Sequence, residues 1–114
     1  MSECVSILGS AWRIEYRDEN ADPLLATRLG YEDHTARLIV IRKPPMDTDA
    51  ENPEILRREV VRHETIHAFL DECGLANSSE WAVNDEMVDW FAKVSPKIFK
   101  AWKELGVLFD EVME

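Results

Sequence analysis

The feature that most constrains this chain is the pattern His-Glu-x-x-His at residues 63–67. In an α-helix, residues four apart lie on one face, one turn above the other, so the imidazoles of His63 and His67 can reach one metal ion. Glu64 lies beside the first histidine, where its carboxylate can act as base toward a metal-activated water. The pattern therefore predicts a helix that carries a metal site, with two histidine ligands and Glu64 as the catalytic residue.

Residues 52–74 have the signals of one helix around this pattern. Asn52 is a good N-cap, Pro53 suits the first helical position, and Gly74 is a typical C-terminal stop. Both histidines fall within the apolar stripe that helical spacing predicts, namely Ile55, Leu56, Val60, Ile66 and Leu70. An imidazole that faces a core without a partner is costly, and a shared metal ion would supply that partner.

The residues before this helix predict a small β-sheet. Residues 5–8 and 12–16 alternate apolar and polar positions, so they predict two short strands joined by a tight turn at Gly9-Ser10. Residues 22–30 begin with a capping Asp and a Pro, which predicts one or two helical turns. Residues 37–42 give the strongest strand signal, a mostly β-branched run that should be buried on both faces.

Two further helices are predicted after the metal helix. The first spans residues 80–94, and the second begins at Ser95-Pro96 and runs to about Glu111, because Ser is a good N-cap and Pro suits the first helical position. The last helix has more apolar surface than one stripe needs, which indicates either core or a contact between copies of the chain. The expected architecture is α+β: one domain over residues 1–114, with a small twisted sheet packed on the metal helix and two helices after it.

A catalytic zinc ion takes three protein ligands and keeps one open position, so a third ligand is needed. Asp85 and Asp89 share a face of the next helix that borders Val88. We therefore expect Asp85 to be the third ligand and Asp89 to accept the ring N–H of a ligating histidine. Glu86 shares the solvent side with Lys93, but its longer side chain would make it the ligand if the helices lie further apart. Zinc is the default metal for two histidines and one carboxylate, although iron and manganese also use such ligands.

These motifs carry a resemblance to a known group of enzymes. The His-Glu-x-x-His pattern followed by residues 84–89 resembles the gluzincin metallopeptidases, in which H-E-x-x-H precedes N-E-x-x-x-D on the following helix. Residues 85–92 are also similar to the segment E-x-x-A-N/D-x-F-A of the minimal peptidases that cleave phage repressors. Where these patterns have Glu as the third ligand, this chain has Asp85.

The resemblance is closer still to small phage and prophage zinc-peptidase-like proteins of about this length. It rests on residues 63–75 and 89–92, and on a Gly-Tyr segment and a short apolar strand before the metal helix. It covers roughly residues 30–92. It implies a minimal zincin in which residues 37–42 lie near the cleft and an edge strand holds an extended peptide by main-chain hydrogen bonds.

The function that we expect is therefore zinc-dependent hydrolysis of a peptide or protein substrate. His34, Tyr31 and Arg37 precede or border the predicted cleft strand, and they are candidates for stabilising the oxyanion. The alternative is a catalytically inactive module in which zinc serves only folding or recognition, since a chain of 114 residues gains much from a metal that joins two helices.

Composition excludes several other classes of function. The formal net charge of −10, without a cluster of Lys and Arg, argues against a nucleic-acid-binding surface. No run of eighteen apolar residues is long enough to span a membrane, and the first residues do not form a signal peptide. Cys4 and Cys73 are far apart and belong to no C-x-x-C pair, so we expect a reducing, cytoplasmic location without a disulfide framework.

Overall fold

The computed structural model describes residues 2–43 and 50–110, which form a four-stranded sheet and two long helices. The elements are β1 (Ser2–Ile7), β2 (Ser10–Arg17), β3 (Gly30–Asp33), β4 (Leu38–Arg42), α1 (Pro53–Glu72) and α2 (Asp85–Leu105). Short 3₁₀ turns occur at Pro23–Ala26, Leu75–Asn77 and Trp81–Val83. The predicted α+β class is confirmed.

The sheet is mixed, with the strand order β1-β2-β4-β3. β2 is antiparallel to β1 and parallel to β4, and β4 is antiparallel to β3. The β1–β2 turn was expected at Gly9-Ser10 but lies one residue earlier, because Ile7 pairs with Ser10. Its two central residues, Leu8 and Gly9, have φ of 51° and 86°, the backbone that a two-residue hairpin requires.

β4 occupies the interior of the sheet, and all five of its residues are buried, as the apolar run predicted. It was expected near the cleft, but it lies between β2 and β3 and is therefore one strand away from it. The strand that reaches the cleft is β3, which the sequence did not predict as a strand because Gly30–Asp33 is short and acidic. β3 is an edge strand: it pairs with β4 on one side only among the described residues.

Helix α1 packs across one face of the sheet. The buried core between them comprises Ile7, Trp12, Ile14, Ile39, Ile41 and Ala68, with Leu56, Val60 and Val61 packed against it. β3 approaches α1 closely at Gly30, where a Cβ would lie 3.0 Å from the Val60 Cγ1 atom. The predicted apolar stripe is wrong at one end, because Ile55 is 54% exposed.

The predicted ends of α1 are confirmed. The Asn52 side chain accepts a hydrogen bond from the Ile55 amide, Pro53 is the first helical residue, and Gly74 has φ of 87°.

No helix within the described ranges is long and apolar enough to cross a membrane. Cys4 and Cys73 are both exposed and free.

The predicted break between two later helices is wrong, since α2 is continuous through Pro96. Proline has no N–H to donate to the carbonyl oxygen four residues earlier, which here belongs to Ala92. Arg62 of α1 donates its Nε–H to that oxygen at 2.5 Å, so the carbonyl keeps a partner. The helix ends at Leu105 and is capped by Gly106, so the predicted extension to about Glu111 is wrong: residues 106–110 are not helical.

Candidate metal centre

The two histidines of the motif lie one turn apart on α1, as their spacing requires. Their Nε2 atoms are 3.2 Å apart, and the rings meet edge to face with centroids separated by 4.9 Å. About one fifth of each side chain is exposed: 21% for His63 and 19% for His67. Both imidazoles therefore point to one location at the edge of the protein interior.

Asp85 completes this group from the first position of α2. The Asn84 side chain caps the helix by accepting a hydrogen bond from the Met87 backbone N–H. This cap fixes the start of the helix and so the position of Asp85. Its Oδ1 atom lies 3.0 Å from the His67 Nε2 atom and 3.5 Å from the His63 Nε2 atom. The structure thus brings together the three side chains that the sequence proposed as ligands.

The spacing of the three donor atoms fits a tetrahedral zinc ion. Zinc bonds of about 2.0–2.1 Å place tetrahedral ligands roughly 3.3–3.4 Å from one another. The three observed separations run from 3.0 to 3.5 Å. Two imidazole nitrogens and one carboxylate oxygen are also a donor set that zinc prefers, and three ligands leave the fourth position open.

Glu64 is the one charged side chain that α1 buries in the same cleft, with 8% of its surface exposed. Burial and, to a lesser extent, the nearby Asp85 carboxylate raise its pKa to about 7, while Arg28 acts in the opposite direction. A carboxyl group with a pKa near neutrality can both accept and release a proton at physiological pH. Its position beside the histidines matches the base that the motif predicted.

The other acidic residues of α2 take different positions. Glu86 is exposed and is not part of the group formed by the histidines and Asp85. Asp89 lies on the far side of the His63 ring, with its Oδ1 atom 3.7 Å from Nδ1, while its Oδ2 atom accepts a hydrogen bond from Lys93 at 3.0 Å. Asp89 is thus near the ring nitrogen whose N–H it was expected to accept, but the separation is longer than a hydrogen bond.

The histidines and Glu64 open into a polar cleft of about 500 Å³ between α1, the start of α2 and β3. Its lining includes Arg28, Tyr31 and Glu32, of which the sequence singled out only Tyr31. Arg28 is the one Lys or Arg side chain among the described residues that line the cleft. No local pattern marked Arg28 or Glu32, because they reach the cleft only through the pairing of β3 with β4.

The three candidates for oxyanion stabilisation are placed differently. Tyr31 is part of the cleft lining, but its side chain packs on the other face of the sheet and its hydroxyl is hydrogen-bonded to Asp22 and to Arg17. Arg37 forms an ion pair with Glu72. His34 is exposed, and neither it nor Arg37 lines the cleft.

Glu32 is the second carboxyl group with a strongly raised pKa. Burial is the main cause, and the neighbouring Asp71, Glu64 and Asp33 carboxyls add to it, so the pKa rises to about 8. The Oε2 atom of Glu32 is buried without a hydrogen-bond partner among the described residues.

A second cleft, here called the apolar groove, lies between the same two helices. It has a similar volume of about 510 Å³ and is lined by Ile66, Phe69, Leu70, Trp81, Met87, Trp90 and Phe91. The described residues of its lining offer no imidazole, carboxyl or thiol group.

Comparison with known proteins gave no match to a family model, to a curated protein or to a solved structure.

Proposed function

We propose that this protein is a zinc-dependent peptidase in which His63, His67 and Asp85 hold the metal and Glu64 is the general base. The observation that carries the proposal is the convergence of three donor atoms at 3.0–3.5 Å beside a buried carboxyl group. The family resemblance adds support from the sequence side.

In the proposed mechanism, His63, His67 and Asp85 would hold the zinc ion, which would supply Lewis acidity toward the peptide carbonyl and the attacking water. Glu64 takes the proton of the attacking water and passes it to the leaving amine. Its pKa of about 7 suits both transfers. Arg28 is our candidate for stabilising the negative charge that develops on the carbonyl oxygen, because it brings a cation to the cleft.

β3 offers a means to hold the substrate. One side of the strand pairs with β4, while its other side has no strand partner among the described residues. An extended peptide can add to such an edge through main-chain hydrogen bonds. Gly30, Tyr31 and Glu32 line the cleft, so a peptide bound there would pass beside Glu64. This arrangement favours a peptide over a small molecule as the substrate.

The test is hydrolysis of a mixed peptide library by the zinc-loaded protein, with Glu64→Gln as the decisive variant. The amide keeps the shape of the side chain but cannot take the proton. We expect the variant to retain zinc and to lose about 10²- to 10⁴-fold in rate. Zinc removal by a chelator should abolish cleavage. Undiminished cleavage by Glu64→Gln would overturn the assignment of the base.

A second candidate is a catalytically inactive module in which zinc ties the start of α2 to α1. The Asp85 side chain is 80% accessible and contacts the two histidines. A metal ion bound by all three would fix the start of α2 on α1, and this favours the structural role. In that case the zinc-loaded protein would cleave no peptide of the library, and Glu64→Gln would behave as the parent.

Two further parts of the proposal concern partners and location. Phe99, Trp102 and Leu105 are 40–74% exposed on α2, which favours self-association through this helix. The mass in solution, measured by light scattering, would decide between a monomer and an oligomer.

The two free cysteines favour a reducing compartment, and we propose the cytoplasm.

A further inference from the structure

A second group of metal-ligand side chains lies next to the histidine pair, one helical turn after His67 on α1 and at the end of β3. It consists of Glu32, His34 and Asp71, whose ligand atoms all lie within 4.8 Å of one another. Glu32 pairs with Ile39, and this register turns its side chain toward α1. Asp71 is in the last turn of α1, and His34 directly follows β3. Two segments distant in sequence, the end of β3 and the end of α1, therefore converge on one point.

The charges at this point are not balanced within the protein. Glu32 and Asp71 are neighbouring carboxyl groups, and Glu64 adds a third negative charge nearby. Among the described residues, no Lys or Arg forms an ion pair with Glu32 or Asp71, because Arg37 pairs with Glu72 instead. A buried carboxylate without a countercharge is costly, so either a proton or a cation must compensate.

The Oε2 atom of Glu32 distinguishes this group from an ordinary acidic cluster. It is inaccessible to solvent and has no hydrogen-bond partner in the described part of the chain. A shared proton would satisfy one oxygen of the Glu32–Asp71 pair, but it would not use the imidazole nitrogen of His34. A metal ion would bind all three side chains and would also give Glu32 a partner.

We propose that Glu32, His34 and Asp71 form a second binding site for a divalent transition-metal ion, distinct from the site of His63, His67 and Asp85. One imidazole nitrogen and two carboxylates suit zinc, manganese or iron better than calcium or magnesium, which prefer oxygen ligands alone. The ion would join the free edge strand to the C-terminal part of α1 and so fix the wall of the cleft. The two sites share no ligand, so this inference does not require that the first site be catalytic.

The test counts metal ions per chain. The protein is loaded with zinc, freed of excess metal by gel filtration and analysed by plasma mass spectrometry. We expect two equivalents in the parent protein and one in the variant His34→Gln, an exposed position where the change does not threaten folding. Asp71→Asn should also retain one. Asp33→Asn is the matched control, because this neighbouring acid binds Thr35 and should leave two.

Variants of the first site separate this inference from the proposed function. The double variant His63→Ala/His67→Ala should lose one equivalent and keep the other. A parent with a single equivalent that disappears in this double variant would overturn the second site and leave the proposed peptidase intact. A single equivalent that disappears in His34→Gln would support the second site and contradict the first. Two equivalents retained in both His34→Gln and Asp71→Asn would also overturn the inference.

Discussion

Helices α1 and α2 are bordered by two clefts of nearly equal volume, about 500 Å³ for the polar cleft and 510 Å³ for the apolar groove. The polar cleft gathers imidazoles, carboxyl groups and one guanidinium against the edge strand. The apolar groove presents only aliphatic, aromatic and thioether side chains. The two clefts barely differ in volume, and what distinguishes them is the chemistry of their lining.

A turn-by-turn view of α1 explains how one helix serves both clefts. His63 and His67 lie between a face that packs on the sheet and a face that borders the groove through Ile66 and Leu70. The histidines are thus covered on both sides yet remain about one fifth exposed. Four experiments can break or sharpen this contrast.

The largest expected effect is the loss of zinc-dependent stability in His67→Ala. A ligand that binds only the folded state at about a thousand times its Kd stabilises it by roughly 4 kcal/mol. We expect the first site to contribute about this amount to the rise in the free energy of unfolding that zinc causes in the parent, and we expect His67→Ala to lose that contribution and keep only that of the second site. Trp90→Ala, which alters the apolar groove, is the control and should keep the full shift. An equal shift in all three proteins would place the metal elsewhere.

The second experiment uses the pH dependence of stability of the metal-free protein. Glu64 has its pKa raised from 4.5 to about 7 in the folded state, so the folded protein binds this proton more tightly than the unfolded chain does. The resulting stability is fully present below pH 4.5 and is lost as the pH rises to about 7. The slope contributed by one such group is at most about 1.4 kcal/mol per pH unit.

Urea denaturation in the presence of a chelator, at several values between pH 4.5 and 7.5, measures this slope. Glu64→Gln should reduce it by the contribution of Glu64, because the amide does not titrate, while Glu32, whose pKa is raised to about 8, keeps its own contribution. Glu54, whose pKa is lowered to about 2, titrates below this window and does not obscure the comparison. Identical slopes in the parent and the variant would contradict the burial of an ionisable carboxyl group at residue 64.

The third experiment compares Asp85→Asn with Glu86→Gln. The two carboxylates are neighbours on α2, but only Asp85 lies at 3.0–3.5 Å from the histidine nitrogens. Loss of a residue that merely orients a ligand costs 10- to 100-fold in metal affinity, so loss of the ligand itself should cost at least about 100-fold. Glu86→Gln should bind zinc as the parent does. Competition with a chromophoric chelator measures both, and the opposite ranking would make Glu86 the ligand.

The sequence predicted most of the elements and the proximity of His63, His67 and Asp85, because both depend on local spacing. The N-cap at Asn52, the buried strand β4 and the paired histidines follow from residues within a few positions of one another. The position of Asp85 near the histidines could also be predicted, because the short connection between the helices and the helical geometry restrict which acidic residue can lie close to them. Each of these inferences needed only one element or two consecutive ones.

What the sequence did not predict depends on contacts between distant segments. β3 is a strand because it pairs with β4, and its acidic sequence gives no such signal by itself. Glu32 and Arg28 enter the cleft through that pairing. The position of β4 in the strand order was likewise not predicted. Its parallel pairing with β2 requires a crossover connection that no local pattern encodes.

The last and smallest effect concerns the contact between α1 and α2 near Pro96, where the expected helix break did not occur. Arg62 donates to the Ala92 carbonyl oxygen, which Pro96 leaves without its helical partner. Arg62→Met should therefore destabilise the parent by about 1.5 kcal/mol, as for other hydrogen bonds to charged groups. In the background Pro96→Ala, the new amide can bind the same oxygen, so the change should cost much less. Equal costs in the two backgrounds, measured by urea denaturation, would show that Arg62 acts through its packing alone.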